Sequence, residues 1–393
     1  MKNGVKWQLK TLQSKKRRIA NAINSVGADP YAQKMWDKGV ALAVEVKDLP
    51  VGAANILKQE ALASGIDAAV AHGTINAEVA TTDAVIVGTI RGFRYLAERL
   101  KRQPYSLPAL AEELTTIIER KSNDENGNKA NSLLISGVEL PLDRIHVMGI
   151  VNITPDSFSD GGKYTDKSAW TERIRQVIDE GATFVDIGGV STRPNYTEVS
   201  LDDELKRVLP AVETALAIIG NRKDVFVSVD SWRVEVLERA LALGAHLIND
   251  QSELADERLA ELSANTGAAL CIMHNSESDV CYRLAERVQK ATSLGVNPRS
   301  IILDPGFGFV KDVNKNYEVL RYLGELCDLG YPVLAGVSRK SMINAAVNKP
   351  VPADRLYGTL AAEVIAAMNG AKIIRTHDVV ACVDAMRVVT MAR

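Results

Sequence analysis

The chain is poor in the residues that announce a special compartment or a local metal centre. Its 393 residues include only four cysteines, Cys271, Cys281, Cys327 and Cys382. None forms a C-x-x-C pair, so free, buried thiols in a reducing compartment are expected rather than a disulfide framework. The five histidines, His72, His146, His246, His274 and His377, show no zinc-ligand spacing. No apolar run reaches the roughly 18 residues of a membrane span. The opening MKNGVKWQLKTLQSKKRRIA is basic but lacks the apolar stretch of a secretory signal, so a cytoplasmic protein with no membrane partner is expected. A formal net charge of -2 gives nucleic acid no general attraction, while leaving room for a local anion pocket.

What is present reads as two domains. The polar stretch 122–132, SNDENGNKANS, has the composition of an exposed linker. Ahead of it, residues 1–121 suggest a small α/β domain, with helical segments at 53–63 and 108–120 and a short buried strand at 83–88. No Gly-rich phosphate loop or catalytic cluster occurs there, and its role stays open. Behind it, residues 133–393 contain short apolar runs at 146–151, 183–187, 225–229, 246–248, 269–273, 301–303, 333–337 and 372–375. Helix-forming segments alternate with them near 168–180, 201–219, 233–243, 254–266, 278–294, 315–327 and 354–369, with a last one at 379–391. Strand–helix alternation of this kind calls for parallel sheet and right-handed crossovers. Eight units predict a TIM (β/α)8 barrel, with a doubly wound sheet as the structural alternative.

Active sites of such barrels lie at the carboxyl ends of the strands. The runs lead in turn to Asn152, Thr154, Asp156, Ser157, Ser159 and Asp160; to Asp186, Ser191, Thr192 and Arg193; and to Asp230 and Ser231. They continue to Asn249 and Asp250, His274 and Asn275, Asp304, then Ser338, Arg339 and Lys340, and last Arg375, His377 and Asp378. One such residue would read as a helix cap or loop polarity. Polar residues after every run predict a functional ring. Asp230, Asn249 and Asp304 suit the N–H and amino edges of a flat, nitrogen-rich heterocycle. Arg193, Lys340, Arg375 and His377 suit a phosphate-bearing tail. Ser341 is positioned to cap the next helix and aim its N–H groups at an anion. In DPGFGF (304–309), flexible glycines separate Phe307 and Phe309, which read as core residues or as a wall of the site.

The segments NITPDSFSDGG (152–162), DIGGVSTRP (186–194), SVDS (228–231), IND (248–250), MH (273–274), LDPGFGF (303–309), SRKS (338–341) and IIRTHD (373–378) resemble, in order, the motifs of dihydropteroate synthases. The resemblance covers roughly 135–393, and the region before the linker is similar to an extra amino-terminal domain of some members. It implies condensation of 6-hydroxymethyl-7,8-dihydropterin pyrophosphate with p-aminobenzoate, giving 7,8-dihydropteroate and pyrophosphate. By the same resemblance, Asp230, Asn249, Asp304 and Lys340 hold the pterin, with Asp186 among the substrate-binding residues. Asn152 is the implied Mg²⁺ ligand beside the pyrophosphate; Arg193, Arg375 and His377 grip its oxygens. Thr192, Pro194, Phe309 and Ser341 shape the p-aminobenzoate pocket. Loops after the first two strands are implied to close over the site, and a homodimer through barrel helices is implied as well.

The chain departs from the family pattern at Val190, where many members have Glu; at Asn195, where Gly is common; and at Val310, usually a small residue. The region after the fifth strand is shorter than in common bacterial members. These changes bear on the arylamine pocket and on tolerance of sulfonamides, which imitate p-aminobenzoate. Two other readings stand beside this one: a pterin-dependent methyltransferase sharing the deep pterin site, and a catalytically idle pterin-binding scaffold.

Overall fold

The computed structural model describes Ile19 and residues 23–26, 29–123, 132–153, 167–190 and 199–392. The chain divides into two compact units, Met1–Asn128 and Lys129–Arg393. Helix Leu107–Asn123 runs into the expected linker from one side and strand Ser132–Ile135 begins at its other end; the rest of that linker lies outside the described residues.

In the first unit, strands β1 (Ala41–Pro50), β2 (Asp67–Val70) and β3 (Thr81–Thr89) form an antiparallel sheet in the order β1-β3-β2. Strand β3 alternates strictly, burying Thr82, Ala84 and Ile86 and exposing the residues between them. Such period-two burial belongs to a sheet covered on one face. Leu57, Phe93, Leu96 and Leu114, from helices Val51–Ala63, Ile90–Leu100 and Leu107–Asn123, pack with Ile86 in its core. The expected helices and the central strand are present. Strands β1 and β2 and helix Ile90–Leu100 were not read from the sequence.

The second unit opens with a hairpin, β4 (Ser132–Ile135) and β5 (Val138–Pro141), turned at Ser136-Gly137, both with positive φ. Eight parallel strands follow: β6 (His146–Asn152), β7 (Phe184–Gly188), β8 (Phe226–Asp230), β9 (Leu247–Asp250), β10 (Ala269–Met273), β11 (Ile301–Asp304), β12 (Leu334–Ala335) and β13 (Ile373–Thr376). Their order, β11-β10-β9-β8-β7-β6-β13-β12, leaves two edges. The parallel bridge Leu303–Val333 joins them and closes the ring, making the expected barrel. The helical segment expected over 315–327 is divided into Val313–Arg321 and Leu323–Cys327, with Tyr322 between them.

Alternation along the strands gives the barrel two cores. Val147, Val151, Val185, Ile187, Val227 and Val229 face the helices. Met148, Phe184, Phe226, Leu247, Cys271, Ile302, Leu334 and Ile373 face inward and meet Leu133, Ile135, Leu140 and Leu142. The hairpin therefore seals the amino-terminal end of the barrel with apolar side chains. His146 ties it down, with Nε2 donating to Pro141 O at 2.7 Å and Nδ1 accepting from Thr183 Oγ1 at 3.1 Å. The Pro141 carbonyl requires a proton on Nε2, and burial, holding the ring's pKa down at about 4, leaves Nδ1 unprotonated to accept from Thr183.

Candidate active site

With the amino-terminal end filled, the inward positions farther along each strand carry the polar residues. On β7, Phe184 points into the apolar plug, so Asp186, two residues on, is also inward and fully buried. The same step takes β8 from Phe226 through Ser228 to Asp230, β9 from Leu247 to Asn249, β11 from Ile302 to Asp304, and β13 from Ile373 to Arg375. In register, Asp230 lies beside Gly188 on one neighbour and Asn249 on the other.

Arg375 is the hub. Its Nε donates to Asp186 Oδ2 at 2.7 Å and its Nη2 to Asp230 Oδ2 at 2.7 Å. Burial opposes the guanidinium charge, yet Asp186 and Asp230 hold its pKa above the ordinary value. Asp186 also accepts from Ser228 Oγ at 2.6 Å and from Asn249 Nδ2, 3.2 Å from each carboxylate oxygen. Both Asp186 oxygens are thus engaged below the mouth, two residues before the strand end where the sequence placed it. Its surroundings make it a support that orients Asn249 and Arg375.

Asp230 is more open to change. Burial raises its carboxyl to about 7; Arg375 opposes that rise, whereas the neighbouring charge of Asp186 adds to it. Gln251 Nε2 donates to its other oxygen, Oδ1. Across the pocket, burial also raises the Asp304 pKa, against the Gly306 N–H at 2.7 Å and the charge of Lys340. Lys340 itself is lowered to about 8, first by burial and then by Arg375. Its ammonium lies 4.0 Å from the centre of the Phe309 ring, a cation–π contact. Gly308 makes room for it: φ is +74°, and a Cβ there would fall 2.5 Å from Lys340 Cδ. Phe307, by contrast, belongs to the outer core.

The end of β13 adds a second polar region. His377 Nδ1 bonds Ser338 Oγ at 3.0 Å, and its main-chain N donates to the same oxygen at 3.1 Å. Arg339 ion-pairs with Asp378, and Arg173 donates to the His377 carbonyl at 2.6 Å. Asn152, Arg173, Arg339, His377 and Asp378 line a cavity of about 760 Å³. Asn152 Oδ1 and Asp230 Oδ2 both approach Gly188, lying 3.5 and 3.6 Å from where its Cβ would be.

Three sequence expectations change. Ser341 is not an N-cap: it is the first residue of the short helix Ser341–Val347, is exposed, and follows Lys340, whose backbone occupies the cap position without a side-chain cap. The cause is local, since the Lys340 chain is drawn into the barrel across Phe309. Asp250 points out of the barrel and ties the following turn through Ser252 N, Ser252 Oγ and Leu254 N. His274 is fully buried, and its ring bonds Ser278 O and the Lys311 ammonium. Thr154, Asp156, Ser157, Ser159, Asp160, Ser191, Thr192, Arg193 and Pro194 lie outside the described residues. Gln251, Ser228 and Arg173 enter the arrangement without having been singled out. Ser228 stood inside the quoted SVDS segment, and Gln251 directly after IND.

A closed parallel barrel with buried carboxylates, an amide and cations at its carboxyl end defines a barrel enzyme with a pocket for a polar heterocycle. The sequence pattern of the family described as "Pterin binding enzyme" matches residues 148–377. A dihydropteroate synthase of Escherichia coli is 42% identical over 272 residues, covering 65% of this chain and 95% of that protein. The solved Xanthomonas albilineans dihydropteroate synthase with 4-aminobenzoic acid superposes with a TM-score of 0.62 at 40% identity, over 66% of this chain and 98% of that one. The same protein in complex with 7,8-dihydropteroate gives 0.60 at 38%, with the same coverage. This chain belongs to the dihydropteroate synthase family. A probable bifunctional folylpolyglutamate synthase/dihydropteroate synthase of Haloferax volcanii matches 98% of the chain at 33% identity, its aligned part being 47% of that protein. That match therefore takes in the first unit.

Proposed function

We propose that the protein condenses 6-hydroxymethyl-7,8-dihydropterin pyrophosphate with p-aminobenzoate, forming 7,8-dihydropteroate and pyrophosphate. The observation that carries this reading is the inward set Asp230, Asn249, Asp304 and Lys340, held around Arg375 at the carboxyl end of the barrel. Carboxylates accept from the amino and N–H groups of the pterin; Lys340 donates to its acceptors. Asp186 keeps Asn249 and Arg375 in place from below. Because the surrounding groups are buried, a ring with a mismatched edge leaves polar atoms unpaired and binds poorly.

The C–O bond at the pterin methylene breaks, its electron pair leaving with pyrophosphate. The methylene cation is delocalised into the electron-rich ring and favoured by the nearby Asp230 carboxylate. The neutral arylamine nitrogen then forms the C–N bond and loses a proton to the released pyrophosphate or to solvent. His377 and Arg193 handle the departing anion, and Phe309 borders the arylamine with Thr192, Pro194 and Ser341. Exclusion of water from this mouth protects the cation.

Mg²⁺ is the proposed metal. Among the described residues no group of three or more His, Cys, Asp or Glu forms a metal cage. That suits an ion that takes few protein ligands and completes its shell with substrate phosphate and water. The Asn152 side-chain oxygen, at the barrel mouth and close to the carboxylate of Asp230, is a suitable donor. Bound there, the ion supplies charge neutralisation to the pyrophosphate oxygens.

A cytoplasmic location is part of this proposal; no helix among the described residues is long and apolar enough to cross a membrane. Tyr357, Ile365 and Met368 on helix Leu356–Met368, with Val380, Val388 and Met391 on helix Val379–Ala392, expose apolar surface that supports a homodimer. Purified protein is expected to release pyrophosphate and 7,8-dihydropteroate in equal amounts, only with both p-aminobenzoate and Mg²⁺ present. Methyl transfer from a methylated folate to a cobalamin acceptor, without this turnover, overturns the reading.

A further inference from the structure

Gln251 stands one residue beyond β9, where its side chain reaches across to Asp230. Its carboxamide has a donor end and an acceptor end, and only one orientation is compatible with a carboxylate neighbour. The Nε2 end faces Asp230 Oδ1 and donates to it. The opposite atom, Oε1, is buried and has no hydrogen-bond partner among the described residues. The backbone beneath is fixed, since the Gln251 carbonyl accepts from Asn275 Nδ2 at 3.1 Å and Asp250 anchors the next turn. With Asp230 ionised, as its ion pair with Arg375 favours, turning the amide over would set Oε1 against the carboxylate, so the acceptor is not satisfied that way. A buried acceptor without a donor is costly, and a bound ligand is the natural source of the missing donor.

We infer that Gln251 is a specificity-determining residue of the pterin end, its Oε1 accepting an N–H of the bound heterocycle while its Nε2 fixes the direction of Asp230. The inference rests on the proposed pterin reading. It adds one more acceptor to a wall that already holds Asp230 on the adjacent strand, the Asn249 amide, and Asp304 across the pocket. A ligand that offers only acceptors at this edge gains nothing from it. A ring rich in N–H gains one more contact.

The test uses the full chain. Wild-type turnover with p-aminobenzoate and Mg²⁺ is measured first; its absence defeats the functional reading, separately from the inference. Gln251→Leu then removes donor and acceptor at similar volume. Its affinity for 6-hydroxymethyl-7,8-dihydropterin, titrated by calorimetry, is expected to fall by about tenfold, the scale of one lost buried hydrogen bond. The KM for the pterin pyrophosphate is expected to rise similarly, while the KM for p-aminobenzoate stays within about twofold. Unchanged pterin affinity overturns the inference, as does an equal loss for both substrates, which marks a general structural role. Should circular dichroism show Gln251→Leu unfolded, Gln251→Met, which keeps the unbranched chain, is held to the same outcomes.

Discussion

Asp304 and Asn152 serve different halves of the proposed reaction and separate cleanly by substitution. Asp304→Asn keeps size but replaces an acceptor with an NH₂ donor, which meets a donor edge of the pterin at a cost of about 1–3 kcal/mol. Calorimetry with 6-hydroxymethyl-7,8-dihydropterin is expected to show a loss of about ten- to a hundredfold in affinity, whereas Asn152→Ala leaves that affinity nearly unchanged. Both variants are expected to lose Mg²⁺-dependent turnover. Equal pterin binding by wild type and the Asp304 variant removes Asp304 from the deep pocket. Lys340 provides a pH test. Burial, reinforced by Arg375, lowers its pKa to about 8, so the ammonium is present below that value and lost as pH rises through it. Pterin affinity is therefore expected to decline above pH 8, and Lys340→Arg, which stays charged, is expected to shift that decline to higher pH. An alkaline limb identical in the two proteins excludes Lys340 as its source. Among the departures, Val310 has a backbone reading: its φ is +49°, a conformation that glycine adopts freely and a β-branched residue does not.

The hairpin β4–β5 is an element whose value lies in what it covers. Leu133 and Ile135 are fully buried against the inward side chains of the barrel strands. Leu133→Ala is expected to cost about 2–5 kcal/mol, through lost transfer energy and the cavity left behind, as read by denaturant unfolding. A cost below about 1 kcal/mol contradicts the plug. His146 makes the same element sensitive to acid. Its pKa is near 4 in the folded protein and about 6.5 when unfolded. Between these values the unfolded chain binds more protons, so stability is full above about pH 6.5 and falls as pH drops toward 4. The loss is expected to reach about 3 kcal/mol on this histidine's account. His146→Gln should remove that part of the acid dependence, and an unchanged slope of stability against pH in the variant refutes the assignment.

At the scale of the whole molecule, each unit holds its own apolar core, one built on β1–β3 and the other on the barrel. A chain beginning at Asn131 keeps the hairpin, every barrel strand and all the described residues of the proposed site. It is expected to fold and to bind 6-hydroxymethyl-7,8-dihydropterin as the full chain does. Limited proteolysis of the full chain is expected to cut within 122–132. A folded barrel by circular dichroism that fails to bind assigns part of the site to the first unit.

The sequence by itself determined the barrel and pointed to polar residues at its strand ends, because a parallel strand buried on both faces is a short apolar run whatever its neighbours are. Phe184–Gly188 and Phe226–Asp230 could be read in isolation, and so could the polar residues that follow them. Strands β1 and β2 carry no such signal: β1 mixes Glu45, Lys47 and Asp48 into its alternation, and β2 is four residues long. The hairpin is equally silent in sequence, since its meaning depends on the barrel end it fills. Only the tertiary structure decided which polar groups meet. Arg375 pairs with Asp186, 189 positions away, and Gln251 turns one end of its amide to Asp230 while the other has no hydrogen-bond partner among the described residues. Local pattern reports which residues are buried; the partner of each buried charge is set by ring closure and strand register, which bring distant segments side by side.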